Sequence, residues 1–424
     1  MRRSSLLLVG LLLAAGAGRS LTGSLGAAEG GAAAAAAAVE RAHLLWHAET
    51  LDGRVIASQG SDQPFNPASV VKVATSLEAL DRLGPDHRWS TEVGLTGGWD
   101  RGRAEVTGAL VLTGGGDPDF QAENLMLIAR TLNEAGVRRV RGGLVVRGDI
   151  SVGWEHGEQG RIENPATRMR EMARRVRVAI DPRRWDHTHR AVWNALAVRR
   201  GWDRTAPPRI VLSGPTAFAT DEPVRPVLRH LSNPLPVVLR RFNVYSNNDI
   251  VRIAEPVGAA GVERFLTAHL GTASGQISLE TASGEGTNRL TPRLVVHLLR
   301  LAERETAQHG LALEDVLPVT GCDPGPLSHA LSQVPEGAVI GKTGTLVSTD
   351  GGVAVISGVA PDAGGDGLVF CVAAPGTNGR TRRWRAAEQR WLLDLLALRG
   401  GGSEGPCPRE LPFSDADARI EQVE

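Results

Sequence analysis

The chain has 424 residues, which is enough for two or three domains with cores of their own. Its 47 Lys and Arg balance its 47 Asp and Glu, so net charge gives the whole molecule no reason to bind nucleic acid or an acidic membrane. Hydrophobic residues at 42% and charged residues at 22% exclude bulk disorder and a coiled coil. Three cysteines, Cys322, Cys371 and Cys407, are too few for a disulfide framework and allow one disulfide at most.

The first residues are typical of a secretory signal peptide. Arg2 and Arg3 precede an apolar run from Leu6 to Ala17, and small residues suited to signal peptidase follow. The run is short for a bilayer span, and no later segment approaches 18 uninterrupted apolar residues, so we expect no transmembrane anchor. The sequence therefore predicts a periplasmic or secreted protein, with an uncleaved N-terminal anchor as the alternative.

The predicted elements alternate between strands and helices. A hairpin is expected over residues 43–59, and apolar spacing then predicts a helix with Ser69 at its start. From Trp89 to about Asp149, short strands between Gly-rich turns predict an inserted α/β or β-rich subdomain. Further along the chain we predict helices at 236–244, 249–254, 291–309 and 382–398, and strands at 338–347, 352–360 and 368–374.

Antiparallel strands with flanking helices at both ends of the chain predict one α/β (α+β) domain that is split by an insertion. The predicted boundaries are 1–28 for the signal peptide and leader, 29–88 for the first part of the domain, 89–231 for the insertion, 232–399 for the second part and 400–424 for a flexible tail.

Residues 161–209 differ in composition, with 13 Arg, five acidic residues and three tryptophans. A surface for an anionic polymer is one interpretation, and a pair of ordinary helices with solvated faces is the other. His187 and His189 lack a clear third ligand, and we predict no metal site.

The two lysines of the chain are candidate functional residues. The chain has 45 Arg and only two Lys, Lys72 and Lys342, and each Lys lies in a short motif. Ser69-Val70-Val71-Lys72 places a hydroxyl and an amine three residues apart, on one face of a helix, and Lys342-Thr343-Gly344 is the second motif. Arginine stays protonated, whereas a desolvated lysine can act as a base, so these two positions need a primary amine.

Together with Ser246-Asn247-Asn248, these motifs resemble the S-x-x-K, S-x-N and K-T-G of the serine D-Ala-D-Ala peptidases in the penicillin-binding protein and β-lactamase superfamily. The chain is most similar to the class C low-molecular-mass penicillin-binding proteins, which are D-alanyl-D-alanine carboxypeptidase/endopeptidases. That resemblance implies a transpeptidase-like fold with a large insertion between Ser69 and Ser246. It also implies peptidoglycan stem peptides as substrates, β-lactams as covalent inhibitors, and no cofactor.

The resemblance also implies roles for individual residues. Ser69 would be the acylated nucleophile with Lys72 as its base, Ser246 would relay a proton to the leaving amine, and Asn248 would hold the substrate amide. Lys342 would supply positive potential, and the backbone N–H groups of Ser69 and Thr345 would form the oxyanion hole. The expected catalytic residues are Ser69, Lys72, Ser246 and Asn248, and the expected substrate-binding residues are Lys342, Thr343, Gly344 and Thr345, with Thr343 and Thr345 on the terminal carboxylate.

Three departures from the family pattern accompany this resemblance. Asn247 stands where aspartate is expected, residues 281–284 read Thr-Ala-Ser-Gly instead of Asp-Gly-Ser-Gly, and the region 155–230 is shortened. A β-lactamase or esterase on the same fold is one alternative function. A catalytically silent wall-binding protein is the other, because a fold does not fix a function.

Overall fold

The computed structural model describes residues 38–157, 159–360, 367–399, 404–405, 407–408 and 411–423. The predicted signal peptide, residues 1–28, lies outside the described residues. Within them, no helix combines the length and apolar character that a membrane span requires. Residues 38–43 are a short helix, and the chain from Leu44 onward forms a second compact unit.

The second unit alternates strands and helices along its length. Its strands are β1 (Leu45–Thr50), β2 (Val55–Gln59), β3 (Ser90–Leu95), β4 (Trp99–Asp100), β5 (Glu105–Val106), β6 (Leu110–Gly115), β7 (Arg139–Val140), β8 (Leu144–Asp149), β9 (Val211–Leu212), β10 (Thr216–Ala217), β11 (Arg225–Leu231), β12 (Ile340–Leu346), β13 (Val353–Ala360), β14 (Leu368–Pro375) and β15 (Arg419–Gln422). Its α-helices are α1 (Val71–Leu83), α2 (Ala122–Glu134), α3 (Pro165–Ala179), α4 (His187–Arg200), α5 (Leu235–Val244), α6 (Val251–Ala254), α7 (Gly258–Leu270), α8 (Pro292–Gln308), α9 (Pro326–Ala330) and α10 (Thr381–Leu398).

The first sheet has five antiparallel strands in the order β12-β13-β14-β1-β2. β13 is buried along its whole length and β14 up to its last residue, because helices cover both faces of the sheet. In β14, Val369 and Cys371 face the core that includes α1, α5, α7 and α8, whereas Phe370 and Val372 face the core with α10. The expected antiparallel sheet with flanking helices is confirmed.

The second sheet has the order β10-β8-β6-β3-β11-β15 and mixes parallel with antiparallel pairs. Apart from β15, its strands lie in sequence between β2 and α5, so the chain leaves the first sheet, builds this one and then returns. Helices α2 and α3 pack on it around their own core, which includes Leu132 and Val176. These strands and helices therefore share a hydrophobic cluster that is separate from the clusters on the two faces of the first sheet.

The C-terminal segment differs from the flexible tail predicted for 400–424. β15 pairs with β11 of the second sheet, and Cys407 forms a disulfide with Cys322. Asp415 is fully buried and forms ion pairs with Arg199 and Arg200 of α4. The described part of this segment is ordered, so the prediction of a flexible tail is wrong there. The contacts that order it come from residues far away in the sequence, which a local pattern does not show.

The Arg- and Trp-rich region forms helices α3 and α4. Trp185 and Trp193 are buried in a small core, and Trp202 stacks on Trp193 with ring centroids 5.9 Å apart. Several arginines pair within the protein, including Arg168 with Glu155. The tryptophans therefore pack inward, which favours a pair of ordinary helices over a surface for an anionic polymer.

Candidate active site

The candidate nucleophile Ser69 lies in a 3-10 turn, Ala68–Val70, directly before α1. Asn66 shapes this turn, because its Oδ1 accepts from the Ala68 N–H at 3.1 Å and its Nδ2 donates to the Gly286 carbonyl at 2.9 Å. Ala68 has a φ of +48°, a left-handed conformation that is uncommon for alanine. The local strain is held in place by the Asn66 bonds and presents Ser69 at the start of the helix.

Lys72 is fully buried on the first turn of α1. Its Nζ lies 2.9 Å from Ser69 Oγ, 2.7 Å from Asn248 Oδ1 and 2.7 Å from the Ser283 carbonyl. The last two groups can only accept, so they take both N–H bonds of a neutral amine and leave its lone pair for the serine hydroxyl. A lysine that has lost its proton can therefore accept a hydrogen bond from Ser69 in this arrangement.

Burial supports the same protonation state. Desolvation lowers the pKa of Lys72 from its ordinary 10.5 to about 7, and the charge of Glu285 opposes this shift. A neutral amine in contact with a hydroxyl can act as a general base near physiological pH.

The S-x-N motif forms the turn between α5 and the 3-10 helix Asn248–Ile250. Ser246 adopts a left-handed φ of +51°, and Asn248 contacts Lys72. Asn247 is buried, and its Oδ1 accepts from the Asp249 N–H at 2.9 Å. An aspartate could accept the same bond, so the departure at Asn247 keeps this capping interaction.

The K-T-G motif lies on β12, which is the edge strand of the first sheet. Lys342 is buried, and its Nζ donates to Ser246 Oγ at 2.7 Å and to the Thr343 carbonyl at 2.9 Å. A Cβ at Gly344 would lie 2.4 Å from the Pro67 carbonyl, so only glycine lets the strand pass this close to the Ser69 turn. Thr343 is buried on the strand, whereas Thr345 is exposed.

Burial, together with the charges of Lys72 and Arg385, holds the pKa of Lys342 well below its usual range. Both lysines of the chain are therefore desolvated, and the charge of Lys72 disfavours protonation of Lys342.

The segment 281–284, where the sequence departs from the family pattern, supports the site directly. The Ser283 carbonyl binds Lys72, and the Ala282 carbonyl accepts from Thr75 Oγ1 at 2.6 Å. Gly284 has a φ of +85°, and a Cβ there would lie 1.9 Å from the Ala68 carbonyl. The backbone carries these contacts, so changes to the neighbouring side chains leave them in place.

The insertion also reaches the site, which sequence reasoning missed. Asp249 accepts from the backbone N–H groups of Glu155 and Gly157, each at 2.6 Å. A Cβ at Gly157 would lie 2.5 Å from Asn248 Cβ, so this loop packs against the S-x-N turn. No motif in the sequence indicated this contact.

The structure thus brings all eight expected site residues to one place. Ser69, Lys72 and Asn248 share one hydrogen-bond cluster, Ser246 and Lys342 share another, and Thr343, Gly344 and Thr345 follow Lys342 on the same strand. The two histidines considered as metal ligands start α4, where His189 Nδ1 lies 2.7 Å from the capping residue Asp186. The site can perform acyl transfer through a serine.

Comparison with solved structures shows the fold class of the chain. A predatory endopeptidase of Bdellovibrio bacteriovorus, solved as its penicillin G acyl form with an immunity protein, superposes with a TM-score of 0.71 at 20% identity, covering 89% of this chain and 99% of that one. Penicillin-binding protein 4 of Haemophilus influenzae superposes with a TM-score of 0.56 at 18% identity, covering 83% of this chain and 96% of that one. The chain therefore has the same fold as this endopeptidase and this penicillin-binding protein.

The sequence identifies the family within that class. Residues 33–161 and 215–393 match the D-Ala-D-Ala carboxypeptidase 3 (S13) family, and the chain belongs to it. A D-alanyl-D-alanine carboxypeptidase of Actinomadura sp. (strain R39) is 40% identical over 96 residues, which are 23% of this chain and 18% of that protein. The chain thus spans less than a fifth of the length of that curated relative. The match to the family confirms the resemblance that the motifs indicated.

Proposed function

We propose that the protein is a serine-type D-Ala-D-Ala carboxypeptidase that acts on peptidoglycan stem peptides through an acyl-enzyme on Ser69. The same chemistry would cleave D-Ala cross-links, which is the endopeptidase reaction, and would make Ser69 the site of covalent acylation by penicillin. Family membership and the neighbouring solved structures support this proposal.

One observation carries the proposal. Lys72 Nζ lies 2.9 Å from Ser69 Oγ and 2.7 Å from each of two carbonyl oxygens, Asn248 Oδ1 and the Ser283 carbonyl, and burial brings its pKa to about 7. In the neutral form the two carbonyl oxygens accept both N–H bonds of Lys72, and its lone pair can accept the proton of Ser69. This geometry fits a base for the adjacent hydroxyl.

The reaction follows from these contacts. Neutral Lys72 takes the proton of Ser69 as Oγ bonds to the carbonyl carbon of the penultimate D-Ala, and the carbonyl electrons move onto oxygen. The backbone N–H groups of Ser69 and Thr345 would stabilise that oxyanion. As the carbonyl re-forms, the C–N bond breaks, and Ser246 passes a proton to the departing D-Ala amine and receives the proton that Lys72 took from Ser69, so Lys72 becomes neutral again. Water later hydrolyses the ester and restores the Ser69 hydroxyl.

Asn248 and Lys342 would position the substrate. Asn248 Oδ1 is occupied by Lys72, which leaves the Nδ2 group to donate to a substrate carbonyl. An arriving carboxylate would raise the lowered pKa of Lys342 by opposite charge, so we expect Lys342 to become cationic when substrate binds.

We place this reaction outside the cytoplasm, in the periplasm or the secreted fraction. The N-terminal residues favour export, and the Cys322–Cys407 disulfide is the kind of bond that persists in oxidising compartments.

Penicillin labelling followed by peptide mass spectrometry tests the proposal. We expect a penicilloyl adduct on the peptide that contains Ser69, none on the Ser69→Ala variant, and release of D-Ala from an acyl-Lys-D-Ala-D-Ala tripeptide. An adduct elsewhere, or none on folded protein, would refute the nucleophile. Rapid adduct loss with penicillin turnover and no D-Ala release would instead establish a β-lactamase.

A further inference from the structure

Arg385 extends from the first turns of α10 to the end of the K-T-G strand. Its Nη2 donates to the Gly344 carbonyl and to Thr345 Oγ1, and its Nη1 donates to the Val355 carbonyl at 2.7 Å and to Glu388 Oε2 at 2.9 Å. One guanidinium therefore joins the helix to two neighbouring strands beside the site. The reaction described above leaves this residue without a role.

The surroundings leave Arg385 with unbalanced positive charge. Its partner Glu388 is fully buried, and burial raises the pKa of that carboxyl to about 7, although the Arg385 bond opposes the shift. A partly neutral Glu388 offsets only part of the positive charge of a guanidinium. The charge of Arg385 helps to lower the pKa of Lys342, so its field reaches the site.

The bond to Thr345 also fixes the direction of a hydroxyl. Thr345 Oγ1 accepts from Arg385, so the hydrogen of that hydroxyl must go to another acceptor. Thr345 is exposed on the edge strand, which leaves its hydrogen available to a substrate oxygen.

We propose that Arg385 is a positioning residue that makes the site select leaving groups with an α-carboxylate, by orienting Thr345 as a donor and by adding positive charge beside it. This inference rests on the proposed function. The ligand chemistry is a free carboxylate next to the scissile bond, which terminal D-Ala and penicillin both carry. Charge-assisted hydrogen bonds to such a group are about twice as strong as neutral ones, so their loss should be measurable.

Two thioester substrates separate recognition of the leaving-group carboxylate from the rest of the reaction. The first is an acyl-D-Ala thioester of thioglycolic acid, and the second is the same thioester with the carboxylate converted to a carboxamide. In both, Ser69 Oγ bonds to the carbonyl carbon and the C–S bond breaks, so thiol release reports turnover whether or not the carboxylate is present. The experiment measures kcat and KM for both substrates.

We expect Arg385→Ala to lower kcat/KM for the carboxylate thioester about 10- to 100-fold, mainly through KM, and to change the carboxamide thioester less than about threefold. Arg385→Lys, which keeps the charge but loses the forked geometry, should fall between wild type and Arg385→Ala. Arg382→Ala, which removes an exposed charge from the same helix, is the matched control and should change neither substrate.

A double variant protects the test against misfolding. Removing Arg385 leaves the buried carboxylate of Glu388 unpaired, so Arg385→Met is combined with Glu388→Gln. Thermal unfolding shows whether Arg385→Ala and this double variant are folded. Equal losses on both thioesters in folded protein would show a purely structural role and overturn the inference, as would no loss on either. If the wild type cleaved neither thioester nor the tripeptide, the proposed function itself would fail and this inference with it.

Discussion

Replacing Lys72 with arginine tests the proposed base most directly. With a pKa of about 7, Lys72 is half neutral at pH 7, whereas a lysine at its ordinary 10.5 would be neutral in only about 0.03% of molecules. Burial therefore raises the fraction of competent base roughly a thousandfold. Arginine is not deprotonated at any accessible pH, so we expect Lys72→Arg to slow acylation by about a thousandfold or more.

The same pKa gives a pH dependence with a definite sign. The neutral amine is the active form, and it increases as pH rises through about 7. The acylation rate constant of the wild type should therefore increase between about pH 6 and pH 8 and then level off. Lys72→Arg should show no such increase.

Second-order labelling by a fluorescent penicillin, measured from pH 5 to pH 9, provides the assay. Circular dichroism establishes that each variant is folded, and Ser69→Ala sets the background. Wild-type acylation rates in folded Lys72→Arg, or a wild-type rate that does not change across neutral pH, would show that Lys72 is not the base.

Three further predictions address other parts of the molecule. Lys342→Arg keeps positive charge where no base is needed, so penicillin labelling should retain residual activity, about 10- to 100-fold below wild type and well above Lys72→Arg. Gly284→Ala should abolish folding or labelling because its Cβ would lie 1.9 Å from a carbonyl oxygen, whereas Gly275→Ala, with a similar φ of +87° but open space, should cost only about 1–2 kcal/mol in urea unfolding. The Cys322→Ser/Cys407→Ser variant should lose about 4–5 kcal/mol of unfolding free energy by denaturant titration, the loop-closure value for the 85-residue separation, and a loss below 1 kcal/mol would contradict the inferred anchoring of the C-terminal segment.

Much of the active site could be predicted because its chemistry constrains residue types. The proposed base must be neutral, which excludes arginine, and in a chain with 45 Arg this makes Lys72 conspicuous as one of only two Lys. The strands of the first sheet were predictable for a similar reason, since burial on both faces produces continuous apolar runs such as β13 and β14.

Helix α7 is an element that the local sequence pattern does not predict. The sequence did not predict a helix over Gly258–Leu270, because its first turn contains Gly258 and Gly261, which are poor helix formers. In the structure, Val262, Phe265 and Leu266 are buried in the large core beside α1 and α8. Tertiary packing therefore overrides the low intrinsic propensity of that turn.

The features that the sequence did not predict depend on backbone contacts and on partners that are distant in the sequence. Side-chain identity at 281–284 departs from the expected pattern, yet the carbonyls of Ala282 and Ser283 make the supporting bonds, and a carbonyl is present in every residue type. The C-terminal segment is the opposite case, since Asp415 is ordered by arginines more than 200 positions earlier in the chain. Asp415 lies in a polar, acidic stretch, and such a residue indicates exposure when it is read locally. Only the fold shows that two guanidiniums converge on Asp415 and make its burial stable, because a buried charge is tolerated when it is paired.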